Sequence, residues 1–221
     1  MDYEKETKNA YKNIEKAEDY FSGYSKGIKW RRYSTWKQNQ NLKKALVKCN
    51  LDKSDIVYDI PCGTGIAGRI FKDFPPAIVA SDISMEMMAY AKNEYRKEGF
   101  YGFLQSDITN LPLKSGTSKC AVVLSFMHRV PREIRTGALK ELNRLTNRYI
   151  IVTYAVDSFA QRFKKALIKI LKPGFVPAPS PTAYSEIIKE FRENNLKVLR
   201  EYRIMPILSS SIMFLLEKDS K

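Results

Sequence analysis

Three acidic residues stand where successive predicted strands end. Asp59, Asp82 and Asp107 each follow a short apolar run. Ligands of open α/β sheets bind in the crevice at the carboxyl ends of the strands, and packing does not require carboxylates there. A carboxylate at the second strand can accept hydrogen bonds from ribose hydroxyls, and one at the third suits the exocyclic amino group of a base. The spacing therefore predicts a site for a ligand that contains a nucleoside.

A glycine-rich turn follows Asp59 and precedes a predicted helix. It contains Gly63, Thr64 and Gly65, and glycine lets a ligand approach the backbone where helix N–H groups point outward. Together with Gly68, the turn also fits the Gly-x-Gly-x-x-Gly pattern of dinucleotide binding, which is weak evidence alone. Carboxylates beside the turn would repel a pyrophosphate. The acidic residues therefore favour a ligand without one, and dinucleotide binding is the alternative.

Candidate reacting groups lie where the fourth and fifth predicted strands end. His128 is the only histidine, and the ordinary pKa of histidine, about 6.5, suits a general base. A lone histidine is also often a hydrogen-bonded structural residue, so both roles stay open. Tyr154 is expected either to orient a substrate or to pack beneath the site. Ser125 begins the segment that contains His128.

The elements that position these residues alternate along the chain. Continuously apolar runs are separated by segments with helical period, which is typical of a parallel sheet covered on both faces. The sequence predicts a doubly wound α/β fold with a mostly parallel seven-stranded sheet, an antiparallel last strand and a helical N-terminal cap. We expect a single domain over 1–221. Its predicted parts are the cap at 1–48, a cofactor-binding core at 49–158, a substrate-specificity insertion at 159–185, and a C-terminal helix with strands at 186–221.

Four motifs together resemble those of the class I S-adenosylmethionine-dependent methyltransferases. They are Asp59-x-x-x-Gly63-x-Gly65, Ser81-Asp82, Gln105-Ser106-Asp107-Ile108 and Leu111-Pro112. The resemblance covers about residues 40–155 and implies a Rossmann-like core. The segment Ser125-Phe-Met-His128-Arg-Val-Pro131 is similar to the small-molecule branch that includes quinone-biosynthesis methyltransferases.

This resemblance implies a cofactor and a set of site residues. The cofactor is S-adenosyl-L-methionine, with Asp59 near its methionine part, Asp82 on the ribose and Asp107 on the adenine. The full implied set of cofactor-binding residues is Asp59, Gly63, Thr64, Gly65, Asp82, Ile83, Asp107, Ile108 and Ser125. His128 and Tyr154 are the candidate catalytic residues, and no metal is expected. The fourth strand lacks the Asn/Asp-Pro-Pro-Tyr/Phe tetrad, which argues against methylation of DNA bases.

The distribution of charge favours an anionic acceptor. Lys and Arg outnumber Asp and Glu by 38 to 24, which gives a net charge of +14, and the excess lies outside residues 51–100. A basic predicted helix at 159–172 fits either a solvated face over a core or a helix on an anionic membrane surface. The expected acceptor is a small or lipid-linked molecule. RNA methylation and cofactor binding without catalysis are the alternatives.

The cysteines and the apolar runs bear on the cell compartment. Cys49, Cys62 and Cys120 form no Cys-x-x-Cys pair, and the first residues contain no apolar stretch typical of a secretory signal. No apolar run reaches the roughly 18 to 20 residues of a membrane span. We therefore expect a cytoplasmic protein, with peripheral membrane contact through 159–172 left open. The sequence leaves the acceptor atom and the oligomeric state open.

Overall fold

The computed structural model of the protein describes residues 29–95, 98–157, 181–204 and 210–219. Residues 1–28 of the predicted cap, the basic helix predicted at 159–172 and the following part of the predicted insertion, up to residue 180, lie outside the described residues. None of the helices in the described ranges is both long enough and apolar enough to cross a membrane.

Seven strands form within the described ranges, most of them where the sequence has short apolar runs. They are β1 (Ile56–Asp59), β2 (Ala77–Asp82), β3 (Phe100–Gln105), β4 (Ser118–Val123), β5 (Thr146–Ala155), β6 (Leu196–Arg203) and β7 (Ser211–Lys218). The two central strands β4 and β5 are buried over most of their length, as expected for strands with helices on both faces.

These strands form one seven-stranded sheet in the order β3-β2-β1-β4-β5-β7-β6. The strand β7 runs antiparallel between β5 and β6, and the remaining neighbours are parallel. The predicted mostly parallel sheet with an antiparallel last strand is therefore confirmed. The first three strands are added toward one side of the sheet, and β4 begins the addition toward the other side, next to β1. Such a switch point opens a crevice at the carboxyl ends of the strands.

Five α-helices and one short 3₁₀ turn connect the described strands. They are α1 (Lys29–Lys48), α2 (Gly68–Phe71), α3 (Met85–Ala91), the 3₁₀ turn Met127–Arg129, α4 (Arg132–Leu145) and α5 (Tyr184–Glu193). The chain is already helical at Lys29, within the predicted N-terminal cap. The helix α3 ends at Ala91, and the chain then turns so that Tyr95 is buried.

Hydrophobic cores lie on both faces of the sheet. On one face, Leu142 of α4 and Phe191 of α5 belong to the same core as Val152 and Phe214. On the other face, Leu42 of α1 belongs to the core that α2 and α3 complete. The predicted N-terminal helix is present, and its C-terminal half is part of this core.

A buried ion pair joins the helices α4 and α5. The Arg135 guanidinium donates to both carboxylate oxygens of Glu190, at 2.7 and 3.1 Å, and also to the carbonyl of Val130 at 3.2 Å. Glu190 is 0% exposed. The hydroxyl of Tyr154 donates to the same carboxylate at 3.1 Å. Because the pair is hydrogen-bonded on several sides, the cost of burying its charges is offset.

This network shows how Tyr154 packs. Its side chain is fully buried, and its ring packs edge-on against Phe191 and Phe214 at 5.5 and 6.2 Å. The sequence correctly places Tyr154 near the end of β5, but side chains alternate between the two faces of a strand. Tyr154 thus packs in the core beneath α5, which favours the packing role of the two that the sequence leaves open.

The buried ion pair should contribute far more to stability than an exposed pair between the same two helices. We expect Arg135→Met to lower the free energy of unfolding by about 3–5 kcal/mol, because Glu190 is left buried and unpaired. Arg132 pairs with Glu193 at 3.3 Å near the surface, so Arg132→Met should cost at most about 1 kcal/mol. Urea denaturation measures both, and equal losses would contradict a dominant role for the buried pair.

Candidate active site

The turn after β1 is fixed by the carboxylate that ends β2. One oxygen of Asp82 accepts the backbone N–H of Gly63 at 2.8 Å, and the other accepts the N–H of Ser84 at 3.0 Å. Burial raises the pKa of Asp82, and these backbone donors oppose the rise. Carboxylate oxygens can accept more than one hydrogen bond each. Asp82 therefore anchors the turn and retains acceptor capacity for a ligand.

The glycines of the turn have different roles. Gly63 has a φ of +54°, and a Cβ there would lie 3.8 Å from the methyl group of Met87. A Cβ at Gly65 would lie 2.9 Å from Cα of Ala91, and one at Gly68 would lie 2.9 Å from the carbonyl oxygen of Glu94. The missing side chains of Gly65 and Gly68 thus allow close packing against α3 and the residues after it. The sequence predicts close ligand approach at Gly65, which stays a prediction, and the structure adds a packing role for this glycine.

Asp59 lies beneath the turn, enclosed by aromatic residues. It is 1% exposed and accepts a hydrogen bond from the hydroxyl of Tyr95. The Tyr95 ring is itself 5.1 Å from Phe100 and 5.5 Å from Phe103. Burial raises the pKa of Asp59 to about 7, the Tyr95 hydrogen bond opposes the rise, and the charge of Asp82 adds to it. A cationic ligand beside Asp59 would favour its ionised form.

The ends of β2 and β3 are locked together beside the turn. The hydroxyls of Ser81 and Ser106 are 2.6 Å apart, and the N–H of Ser106 donates to the carbonyl of Asp82 at 3.1 Å. Asp107 is half-buried, and one of its oxygens accepts the N–H and the hydroxyl of Thr109 at 2.9 and 2.8 Å. These contacts bring Asp82 and Asp107 together at the carboxyl ends of neighbouring strands, where the sequence places them.

The apolar residues that follow these two carboxylates differ in exposure. Ile83 is half-buried, and its carbonyl accepts the side-chain amide of Gln105 at 3.1 Å. Ile108 is buried in the hydrophobic core that also contains Leu111. Of the two, the structure leaves the side chain of Ile83 more open to a ligand.

The end of β4 has a strained backbone that contacts α1. Ser125 adopts a φ of +56°, which is uncommon for a residue with a side chain and often marks a functional site. Its N–H donates to the hydroxyl of Thr153 at 2.6 Å, and its own hydroxyl lies 3.4 Å from the amide oxygen of Gln38. Gln38 and Thr153 cannot be predicted from the sequence, because neither belongs to a motif and only the fold brings them to Ser125.

His128 lies in the 3₁₀ turn that follows. Its Nδ1 is buried and has no hydrogen-bond partner within the described residues. Burial lowers the pKa of His128 to about 4, and the charge of Arg129 contributes. The imidazole is therefore neutral at physiological pH, and it is a far weaker base than an ordinary histidine.

The residues at these strand ends have the properties that an adenosyl ligand requires. Carboxylates of β2 and β3 offer acceptors, and Gly63 leaves its side of the turn without a side chain. The hydroxyl of Thr64, which is 1% exposed, is buried without a partner in the described part of the chain. Unsatisfied buried polar groups are uncommon in folded proteins, and a ligand that binds beside them can satisfy them. The described ranges contain no group of three His, Cys, Asp or Glu side chains that could hold a metal ion.

One cysteine, Cys62, belongs to the turn and is a protonated thiol. Cys49, Cys62 and Cys120 are free and buried. Burial raises the pKa of the Cys62 thiol well above its ordinary value, and the carboxylates of Asp82 and Asp59 add to the shift. Cys62 is therefore unsuited to act as a nucleophile.

Part of the chain is similar to known methyltransferases. Residues 57–148 match a family model described as a methyltransferase domain. A curated malonyl-[acyl-carrier protein] O-methyltransferase of Pectobacterium atrosepticum is 30% identical over 102 residues, which are 45% of this chain and 37% of that protein. The match thus spans little more than a third of the relative's length.

Solved structures extend the similarity across the chain. A magnesium protoporphyrin IX methyltransferase from Synechocystis PCC 6803, crystallised with bound SAH, aligns with a TM-score of 0.73 at 18% identity, over 98% of this chain and 97% of that one. A Haloferax volcanii methyltransferase in complex with the Trm112 activator aligns with a TM-score of 0.66 at 15% identity, over 95% and 99%. The predicted resemblance to class I S-adenosylmethionine-dependent methyltransferases is confirmed: residues 57–148 match a methyltransferase-domain model, and the chain has the Rossmann-like fold of these solved structures.

The buried Asp59 should make stability depend on pH. Its pKa rises from an ordinary value of 3.8 to about 7 in the folded protein. Between these pH values the folded protein holds a proton that the unfolded chain releases, so the free energy of unfolding falls as the pH rises from about 4 to 7. We expect Asp59→Asn to remove a fall on the order of 2 to 4 kcal/mol in denaturant titrations at several pH values.

A matched variant tests the cause of this pH dependence. Tyr95→Phe removes a hydrogen bond that favours the ionised carboxylate, so the fall should still begin near pH 4 but extend to higher pH. The assignment to Asp59 is wrong if wild type and Asp59→Asn lose stability equally between pH 4 and 7.

Proposed function

We propose that this protein transfers a methyl group from S-adenosylmethionine to a small anionic acceptor. The observation that carries the proposal is the anchored turn: Asp82 holds Gly63 at the switch point of a methyltransferase fold, with Asp107 at the end of the neighbouring strand. Neighbours with this fold have been crystallised with SAH and with SAM.

Each residue at these strand ends has a proposed part in holding the cofactor. Asp82 accepts hydrogen bonds from the ribose hydroxyls, and Asp107 accepts one from the adenine amino group. Ile83 offers an apolar surface, Thr64 supplies a buried hydroxyl, and Asp59 favours a cation through its carboxyl group. When bound, S-adenosylmethionine supplies an electrophilic methyl group on a sulfonium.

The state of His128 bears on the acceptor. An acceptor that carries a dissociable proton needs a base to remove it, and a neutral imidazole with a pKa of about 4 is poorly suited to that task. An acceptor that is already ionised, such as a carboxylate, needs only positioning and removal of water. We therefore propose that the protein orients a pre-ionised oxygen acceptor and that the Nδ1 of His128 accepts a hydrogen bond in the site.

Similarities and net charge support this class of acceptor. The curated relative is named an O-methyltransferase of malonyl-[acyl-carrier protein], and the chain carries a net charge of +14. A lipid-linked acceptor and contact with an anionic membrane depend on the segment 159–172, which lies outside the described residues, and they stay predictions.

Asp82 should be essential for cofactor binding. We expect Asp82→Ala to weaken S-adenosylhomocysteine binding by more than about tenfold, because the variant removes acceptors for the ribose and frees the N–H of Gly63. Isothermal titration calorimetry measures the affinity, and thermal unfolding verifies the fold.

The matched control is Asp73→Ala, which removes an exposed carboxylate that pairs with Lys43 at 2.7 Å. It should leave the affinity unchanged. Unaltered binding by Asp82→Ala would remove Asp82 from the site. Tight binding of NAD in place of S-adenosylhomocysteine would favour the dinucleotide alternative.

His128 should matter little as a base. We expect His128→Asn to retain kcat within about tenfold, and the wild-type rate to show no inflection between about pH 6 and 8. Transfer of a labelled methyl group to a panel of small carboxylates, phenols and amines provides the assay, with carboxylates as the preferred acceptors. An inflection near the ordinary histidine pKa that disappears in His128→Asn would show that His128 acts as the base.

A further inference from the structure

A basic groove lies between α1 and the edge strand β6, away from the carboxylates of the candidate site. It has a volume of about 310 Å³ and is lined by Gln40, Lys43, Lys44, Val47, Lys48, Arg200 and Tyr202. Small-molecule sites start at volumes of about 300 Å³. The groove is thus large enough for one small ligand.

The cations of this groove are poorly compensated. Lys43 pairs with Asp73 at 2.7 Å, whereas Lys44, Lys48 and Arg200 form no ion pair within the described ranges. Lys44 and Lys48 are four residues apart on α1, so they lie on the same face of the helix, and like charges at that spacing destabilise a helix. An anion in the groove would relieve this repulsion.

Tyr202, which also lines the groove, has an unsatisfied hydroxyl. The Oη of Tyr202 is buried and has no hydrogen-bond partner among the described residues. Burial raises the pKa of Tyr202, and the nearby charge of Arg200 opposes the rise, so the hydroxyl keeps its proton. A buried donor without an acceptor is costly, and a ligand oxygen would satisfy it.

We propose that this groove binds the phosphate group of a small phosphorylated ligand. Phosphate offers three strong acceptor oxygens and up to two negative charges. Arginine recognises phosphate through two parallel donors, and lysine adds point charges. Arg200, the two lysines of α1 and the Tyr202 hydroxyl supply this combination from two elements of the fold.

The groove is separate from the transfer site. The helix α1 reaches that site through Gln38, which contacts Ser125. At a rise of about 1.5 Å per residue, Lys44 and Lys48 lie roughly 9 and 15 Å farther along the helix. Ligand binding in the groove therefore does not depend on the proposed methyl transfer.

Calorimetric titration with inorganic pyrophosphate at low ionic strength tests the proposal. We expect the double variant Lys48→Gln/Arg200→Gln to bind pyrophosphate at least about tenfold more weakly than wild type. Tyr202→Phe, which removes no charge, should weaken binding about threefold or more. The matched control Lys140→Gln/Lys189→Gln removes two cations from exposed positions on α4 and α5 and should bind within about twofold of wild type.

The same titrations distinguish a phosphate site in the groove from a general attraction of anions by the basic protein. Unchanged S-adenosylhomocysteine affinity in the groove variants would support a site distinct from the cofactor site. Equal losses in the groove and control variants would show that net charge alone attracts pyrophosphate, and that result would overturn the proposal. Absence of pyrophosphate binding by the wild-type protein at millimolar concentration would also overturn the proposal. Binding of an RNA oligonucleotide alone, with steep salt dependence, would overturn it as well.

Discussion

The candidate site depends on the contact between the carboxylate of Asp82 and the backbone N–H of Gly63. This contact ties the turn after β1 to the end of β2, and the second oxygen of Asp82 holds Ser84 at the start of α3. Three elements therefore meet at one charged side chain. Because that side chain is buried, its backbone partners are needed to hold it, and its oxygens retain the capacity to accept further donors from a ligand.

Two buried carboxyl groups differ in how the protein compensates their charge. Glu190 is paired with Arg135 and accepts the Tyr154 hydroxyl, so its charge is compensated within the protein. Asp59 has only the hydroxyl of Tyr95 as a side-chain partner in the described part of the chain, and its pKa rises to about 7. A carboxyl group left in this state responds to any cation that enters the site, whereas the Glu190 pair holds α4, α5 and β5 together.

The class of sheet and the strand-end positions of the carboxylates can be predicted from the sequence, because apolar periodicity and residues at strand ends are local signals. The sequence cannot say which face of a strand a side chain takes. Tyr154 illustrates this limit, since it stands at the end of β5 but packs beneath α5. The packing role of Gly65 is also hidden, because it depends on the approach of Ala91 from another helix. Gln38 and Thr153 meet Ser125 only through tertiary structure.

A crystal structure of the protein with S-adenosylhomocysteine tests the central claim most directly. The claim is that the anchored turn and the carboxylates of β2 and β3 bind the adenosyl group. We predict ribose hydroxyls within hydrogen-bond distance of Asp82, the adenine amino group at Asp107, and a partner for the hydroxyl of Thr64. An adenosyl group bound elsewhere on the chain, or a complex in which Asp82 makes no contact with the ribose, would contradict the account.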